Sequence, residues 1–127
     1  MGRPITPARQ PQATQASAGP ELVAKFFRAL GDPTRLRLLE FLLGGEHSVS
    51  ECVAHAGLSQ GRVSTHLACL ADCGYIQTRR DGRWCYYRVT DPRVADLVVL
   101  ARSLAAANCT ALHDCQRIDH DGQAAPR

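Results

Sequence analysis

Residues 58–74 have the sequence LSQGRVSTHLACLADCG, which predicts a helix with a polar first half and two cysteines near its end. Ser59 is suited to cap the start of this helix, and Gly74 to lie just beyond its last turn. Apolar residues recur at intervals of three or four and give the helix one buried side: Val63, Leu67 and Leu70. We therefore expect a helix from about residue 60 to residue 72 or 73.

A short helix is predicted directly before this one. Ser48 and Glu51 have the Ser-x-x-Glu spacing of a capping box, which opens a helix that continues to about His55. The residues Ala56-Gly57-Leu58 then form a turn. Two helices joined by a short glycine-containing turn are typical of a helix-turn-helix, in which the second helix enters the DNA major groove.

Two further helices are predicted at the N-terminal side. From Pro20 onward, apolar residues recur at intervals of three and four, which predicts a first helix that Gly31 ends. Asp32 followed by Pro33 indicates a capped start for the next helix, which the pair Gly44-Gly45 ends. Leucines of this second helix are predicted to face inward: Leu36, Leu39, Leu42 and Leu43.

Beyond Gly74 the apolar period changes from about 3.6 residues to 2. The segments 75–79 and 84–89 are rich in strand-forming residues, and the Asp-Gly pair at 81–82 favours a hairpin turn between them. Asp91-Pro92 starts a last long helix, which extends to about Asn108. The predicted fold is mainly α with a β-hairpin wing, a winged helix-turn-helix of order α-α-α-α-β-β-α.

The last helix carries an apolar face that is too wide for a monomer of this size to bury. Its members are Val94, Leu97, Val98, Ala101, Leu104 and Ala105. We expect a second copy of the chain to cover this face, with the first helix beside it, so the predicted assembly is a homodimer.

Composition divides the chain of 127 residues into three parts. Residues 1–19 are rich in Pro, Gln, Ala, Ser and Thr and are predicted to be a disordered arm. Residues 20–108 form the DNA-binding and dimerisation domain. Residues 109–127 form a tail whose low apolar content predicts that packing alone does not order it, and which contains Cys109, His113, Cys115 and His120.

Several classes of protein are excluded by the sequence pattern. No apolar run has the length of a membrane span, and no apolar segment of a signal peptide follows Arg3 and Arg9, so we expect a cytoplasmic protein without a membrane partner. A net charge of +3 is compatible with nucleic-acid binding. We find no arrangement of nucleophile and base and no phosphate-binding loop, so an enzyme is not expected.

Polar side chains at two places indicate double-stranded DNA as a partner. Short polar side chains in the first half of the main helix are suited to reach base edges in the major groove: Ser59, Gln60, Arg62, Ser64, Thr65 and His66. Arginines flank the hairpin tip, where a wing meets the phosphate backbone or a minor groove: Arg79, Arg80 and Arg83.

The six cysteines indicate thiol chemistry. Clustered thiols in a reducing compartment more often bind metal or sense redox state than form disulfides. Cys69 and Cys73 are four residues apart on a helix, which places their Cβ atoms about 5 to 6 Å apart on one face. Cys52 and Cys85 are expected to be small buried hydrophobic residues. Thiolates without a carboxylate partner select soft cations.

Two runs of sequence resemble the ArsR/SmtB family of winged-helix metal-responsive repressors. They are ALGDPTRLRLLEFL and ECVAHAGLSQGRVSTHLACLADCGYIQTRRDGRWCYYRV, and the similarity extends over about residues 26–104. The resemblance implies a homodimer, held by its first and last helices, that binds an inverted-repeat operator when it is metal-free. Metal lowers the DNA affinity of such repressors and allows transcription of an efflux or detoxification gene.

The run HLACLADCG is similar to the cadmium- and lead-sensing CmtR branch of that family. There, two cysteines at the end of the recognition helix join a third from the tail of the other protomer. The resemblance therefore implies Cys69 and Cys73 as metal ligands, with Cys109 and Cys115 both in the right region for the tail ligand. Mercury-responsive members from actinobacteria are an alternative that uses the same residues.

Two other metal sites of the family do not match this sequence. The stretch SVSECVAHAG retains only Cys52 of a Cys-x-Cys site, and Asp96 on the last helix has no suitably spaced histidine. The implied effector is a soft divalent ion, namely Hg(II), Cd(II) or Pb(II). A thiol-redox-sensing or an arsenite-sensing repressor of the same fold is the alternative.

Overall fold

The computed structural model describes residues 17–118, which form helices and a small sheet. The helices are α1 (Pro20–Ala29), α2 (Pro33–Leu43), α3 (Val49–Ala56), α4 (Gln60–Asp72), α5 (Pro92–Ala107) and α6 (Cys109–Asp114). The strands are β1 (His47–Ser48), β2 (Gln77–Asp81) and β3 (Trp84–Arg88). Within the described residues, no helix combines the length and hydrophobicity that crossing a lipid bilayer requires. Of the predicted disordered arm, residues 1–16 lie outside the described residues, as does His120.

Side chains form the predicted helix starts. Four residues each accept a backbone N–H at the beginning of their helix: Asp32, Ser48, Ser59 and Asp91. The Asp32 carboxylate accepts two, from Thr34 and Arg35, at 2.8 and 3.0 Å. Ser48 and Glu51 form both halves of the predicted capping box. These bonds confirm the predicted helix starts. The starts could be predicted because capping involves only residues a few positions apart.

The core of residues 17–90 lies where α2, α3 and α4 pack on one another. The predicted buried side of α4 is confirmed, since Val63, Leu67 and Leu70 are fully buried. In α2, Leu39 and Leu42 are buried as predicted, but Leu36 and Leu43 are only half-buried. Fully buried Leu38 was not predicted. Because α2 packs against both α3 and α4, its buried arc is shifted from the predicted stripe.

The wing belongs to a three-stranded antiparallel sheet of order β1-β3-β2. The turn between β2 and β3 places Gly82 at φ +62°, as the Asp-Gly pair predicts. The first strand, β1, was not predicted; it pairs His47 with Tyr87 and Ser48 with Tyr86. A strand of two residues has no sequence period, so only its tertiary pairing reveals it.

Tyr75 connects the end of α4 to α1. Tyr75 and Ile76 are both buried, so they do not alternate as strand residues and β2 begins at Gln77 instead of the predicted Tyr75. The Tyr75 ring stacks on Phe26 with 4.2 Å between ring centroids. Its hydroxyl donates a hydrogen bond of 2.8 Å to the backbone carbonyl oxygen of Phe26. This pair therefore attaches the middle of α1 to the segment that follows α4.

Residues 91–118 form a second unit that consists of α5 and α6. The side-chain amide of Asn108 donates to the carbonyl oxygen of Leu104 at 2.9 Å, where α5 ends as predicted. The Cys- and His-containing tail begins with α6, a helix that was not predicted. All side chains of α6 are exposed, and the N–H of Leu112 donates to the Asn108 carbonyl oxygen at 2.9 Å. Local backbone hydrogen bonds thus form a helix that the apolar pattern did not indicate.

We expect Tyr75→Phe to lower the free energy of unfolding by about 1 kcal/mol, because it leaves the Phe26 carbonyl oxygen without its hydroxyl donor. Urea denaturation at one fixed protein concentration measures this change. Tyr86→Phe is the matched control, since Tyr86 is a half-buried tyrosine in β3. An equal loss in both variants would contradict the structural importance of the Tyr75 hydrogen bond.

Candidate functional site

An open groove of about 420 Å³ lies along the first half of α4. Its lining contains four of the predicted DNA-contacting residues and one glycine: Ser59, Gly61, Arg62, Thr65 and His66. Gln60 is exposed beside the groove, and Ser64 is half-buried. Short polar side chains at the start of an accessible helix are what major-groove recognition requires.

Two of the groove hydroxyls bond to the backbone of α4. The Ser59 hydroxyl oxygen accepts the N–H of Arg62 at 3.3 Å, and the Thr65 hydroxyl donates to the Gly61 carbonyl oxygen at 3.0 Å. Ser59 therefore stabilises the start of the helix in addition to lining the groove.

His66 contacts α2 as well as the groove. Arg35 Nη1 lies 3.4 Å from His66 Nδ1. The same guanidinium donates from Nε to the Ala29 carbonyl oxygen at 2.6 Å and from Nη2 to the Arg28 carbonyl oxygen at 3.4 Å. Sequence reasoning missed Arg35, because a contact between residues 31 positions apart leaves no local pattern.

The three predicted wing arginines differ in their surroundings. Arg80 and Arg83 are exposed. Arg79 forms two hydrogen bonds to the carboxylate of Glu46, from Nε at 2.9 Å and Nη2 at 2.8 Å. Its guanidinium also lies 4.6 Å from the centre of the Tyr86 ring. The hydrogen bond from Arg79 holds the pKa of Glu46 below its ordinary value. Arg79 is therefore tied to the segment before β1, and its role at DNA stays a prediction.

Cys69 and Cys73 lie together at the C-terminal end of α4, as their four-residue spacing predicts. Both are half-buried, and the Cys69 thiol is near enough to contribute to the raised pKa of Cys73. The backbone N–H of Cys73 donates to the Cys69 carbonyl oxygen at 3.0 Å. One helix thus presents a polar groove along its first half and a pair of adjacent thiols at its end.

Cys73 also lines a cavity of about 360 Å³ beside α1, with Leu22, Lys25, Phe26 and Asp72. Burial raises the pKa of the Cys73 thiol, and the neighbouring Cys69 and Asp72 raise it further, while Lys25 acts in the opposite direction. The protonated thiol is therefore the dominant form at neutral pH.

The remaining cysteines have different environments. Cys52 in α3 is fully buried, and burial raises the pKa of its thiol to about 11. The thiol therefore stays protonated, and Cys52 packs as the small hydrophobic residue that was predicted. Cys85 in β3 is half-buried. In the tail, Cys109 is exposed at the start of α6 and Cys115 is half-buried at its C-cap. Residues 17–118 contain no group of three or more His, Cys, Asp or Glu side chains placed to hold one metal ion.

Comparison with known sequences supports the regulatory interpretation. Residues 32–78 match the family described as "Bacterial regulatory protein, arsR family". The chain is 62% identical over 104 residues to the "Probable mercury resistance operon repressor" of Streptomyces lividans, and the aligned region covers 82% of this chain and 83% of that protein. It is 41% identical over 73 residues to the transcriptional regulator CmtR of Mycobacterium bovis, and the aligned region covers 58% of this chain and 62% of that protein.

Solved structures show the same fold. The crystal structure of Mycobacterium tuberculosis Rv0081 superposes with a TM-score of 0.68 at 33% identity and covers 74% of this chain and 97% of that chain. A homodimeric winged helix-turn-helix DNA-binding domain from Mycobacterium bovis superposes with a TM-score of 0.64 at 31% identity, covering 68% of this chain and 80% of that chain. The predicted winged helix-turn-helix is therefore confirmed.

The thiol environments predict an order of labelling by N-ethylmaleimide in reduced, metal-free protein at pH 7.5. Exposed Cys109 should react first, Cys73 more slowly because of its raised pKa, and buried Cys52 only after denaturation. Mass spectrometry of timed samples measures the order, and Cys109→Ser identifies the fast site. Labelling of Cys52 at the rate of Cys109 would contradict the described burial.

Proposed function

Because this chain belongs to the ArsR family of bacterial regulatory proteins, we propose that it is a transcriptional repressor released from its operator by a soft heavy-metal ion. In this proposal the metal-free homodimer binds double-stranded operator DNA, and Hg(II), Cd(II) or Pb(II) is the effector. The observation that carries the proposal is the adjacent thiol pair, Cys69 and Cys73, at the end of the helix that lines the polar groove.

The donor set at the end of α4 suits a soft ion. Thiolates favour Hg(II), Cd(II) and Pb(II) over hard cations, and two neighbouring thiolates satisfy a linear Hg(II) ion. An ion that requires more ligands would take one from the tail, where Cys109 and Cys115 are the candidates. Hg(II) is the effector that we place first, since the relative from Streptomyces lividans is described as a mercury resistance operon repressor.

The effector site and the DNA site share α4, which couples the two binding equilibria. If thiolate ligation restrains the end of this helix, operator affinity falls by a coupling free energy of about 1 to 3 kcal/mol, or roughly 5- to 150-fold. Each thiol must lose its proton to become a ligand, so effector affinity decreases as pH falls. The raised pKa of Cys73, caused first by burial, extends this dependence through neutral pH.

Exposed apolar side chains support the homodimer. On α5, Leu100 and Leu104 are 59% and 56% exposed, and on α1, Leu22 and Phe27 are 62% and 53% exposed. Large apolar side chains on the surface of one chain are typical of a protein–protein interface. These are the two helices that the resemblance assigns to the dimer contact.

We expect Hg(II) to release the wild-type protein from DNA, and Cys69→Ser and Cys73→Ser each to abolish release while DNA affinity is retained. Each substitution removes one of the two soft ligands from α4. Fluorescence anisotropy on a duplex selected by the wild-type protein from a randomised library measures release by Hg(II), Cd(II) and Pb(II). Cys85→Ser, a half-buried thiol in the wing, is the control and should respond like the wild type.

Three outcomes would contradict this model. Metal-induced release that persists in both Cys69→Ser and Cys73→Ser would exclude the thiol pair as the effector site. Peroxide-induced release in metal-free buffer, reversed by dithiothreitol, would favour a redox sensor. Release by arsenite alone would favour an arsenite sensor.

The tail ligand is identified by the ultraviolet charge-transfer band of the metal-bound protein. A band that is lost in Cys115→Ser but not in Cys109→Ser assigns Cys115, and the reverse assigns Cys109.

Leu104→Glu should convert the dimer to a monomer, because it places a charge within the apolar surface of α5. Analytical ultracentrifugation measures the shift in mass. Trp84→Glu is the matched control: Trp84 has nearly the same exposure, 55% against 56% for Leu104, but lies in the wing. A dimer that survives Leu104→Glu, or dissociates equally in both variants, would argue against α5 as the interface.

A further inference from the structure

The contact between Arg35 and His66 determines which nitrogen of the histidine ring can donate a hydrogen bond. We propose that Arg35 is a positioning residue that holds His66 in the Nε2–H tautomer and so presents it as a hydrogen-bond donor to DNA. This inference rests on the proposed DNA contact of α4 and is independent of the metal response.

The chemistry of the two side chains fixes the direction of their hydrogen bond. A guanidinium group has donors and no acceptor, and it remains charged at any pH at which the protein is folded. Arg35 Nη1, at 3.4 Å from His66 Nδ1, must therefore be the donor. Nδ1 then carries the lone pair, and the proton of the neutral ring lies on Nε2.

Arg35 is held in place independently of His66. Its Nε donates to the Ala29 carbonyl oxygen at 2.6 Å and its Nη2 to the Arg28 carbonyl oxygen at 3.4 Å, both at the end of α1. The guanidinium cannot turn away from His66 without losing these two bonds to the end of α1. The ring of His66 therefore meets a donor whose position is already set.

The charge on Arg35 is balanced locally by Asp32. Burial tends to raise the pKa of the Asp32 carboxyl, but the N–H groups of Arg35 and Thr34 and the positive charge of Arg35 hold this pKa below its ordinary value. A carboxylate therefore lies close to the guanidinium of Arg35. It stabilises the cation beside the ring without requiring the ring to be charged.

The ring of His66 also borders the open groove along α4, together with Ser59, Arg62 and Thr65. A fixed N–H donor at this groove is complementary to hydrogen-bond acceptors of DNA. These are the N7 and O6 atoms of guanine, N7 of adenine and O4 of thymine at base edges, and the phosphate oxygens. The shared chemistry is an acceptor atom, which either a base edge or a phosphate provides.

The tautomer is measured by NMR on full-length protein labelled with ¹⁵N in its histidines. At pH 7.5 we expect His66 to show an unprotonated Nδ1 and a protonated Nε2, and Arg35→Met to give a mixture of tautomers. Arg37→Met is the control, since Arg37 lies exposed on the same helix with Nη2 at 3.5 Å from the Thr34 hydroxyl. A protonated Nδ1 in the wild type would overturn the proposal.

DNA binding tests the consequence with two isosteric variants. His66→Gln places an amide donor near the Nε2 position and should keep operator affinity within about 3-fold, whereas His66→Asn is too short and should lose about 10-fold. Arg35→Met should also lose about 10-fold, with no further loss when combined with His66→Asn, because Arg35 acts through His66. Thermal melts identify any variant that fails to fold. If Arg35→Met fails to fold, the tautomer of His66 in the wild type and the operator affinities of the two His66 variants still test the proposal.

Two duplexes identify the acceptor: the duplex selected from a randomised library and one of unrelated sequence. A loss confined to the selected duplex indicates a base edge, and an equal loss on both indicates phosphate. Additive losses in the double variant, or equal affinity of His66→Asn and the wild type, would overturn the proposal. Failure of the wild type to select any duplex would instead refute the proposed function, and the inference with it.

Discussion

Burial of the apolar side of α4 is the constraint on which the rest of the structure depends. Val63, Leu67 and Leu70 are fully excluded from solvent, because α2 and α3 pack against this side of the helix. Once that side is buried, the opposite side of the first half must face outward. Cys69 and Cys73 lie together because of their four-residue spacing, and the same rotation of the helix leaves both half-buried beside the core. The groove and the thiol pair are thus two consequences of one packing interaction.

Two polar contacts then link α4 to α1. At the middle of α4, His66 meets Arg35, whose guanidinium binds the carbonyl oxygen of Ala29 at the end of α1. Just after α4, the Tyr75 hydroxyl binds the carbonyl oxygen of Phe26 within α1. Helix α1 also lines the cavity beside Cys73, so it contacts the surroundings of the thiol pair as well as Arg35. These contacts within residues 17–90 support the proposed coupling between effector and DNA.

The same organisation separates two kinds of charged group. Arg79 is neutralised by Glu46 and lies against Tyr86, so part of the basic charge of the wing serves the sheet. Arg80 and Arg83 stay exposed. A count of basic residues near the hairpin tip therefore overstates the charge that is available to phosphate. The tertiary contacts, rather than the sequence, distribute these three arginines between fold and surface.

Most helices, the hairpin and the thiol pair could be predicted from the sequence, because their causes are local. Capping by Asp32, the Asp-Gly turn and the spacing of Cys69 and Cys73 each involve residues at most four positions apart. The tail helix α6 was missed, because its backbone hydrogen bonds form without an apolar pattern.

Contacts distant in sequence were decided by the tertiary structure alone. Arg35 meets His66 across 31 positions, Arg79 meets Glu46 across 33, and Tyr75 meets Phe26 across 49. No periodicity or motif connects such pairs, since they meet only after the helices have packed. The sequence by itself therefore determined which helix carries the polar face and the thiols. The folded chain decided which side chains hold that helix in place and which donor His66 presents.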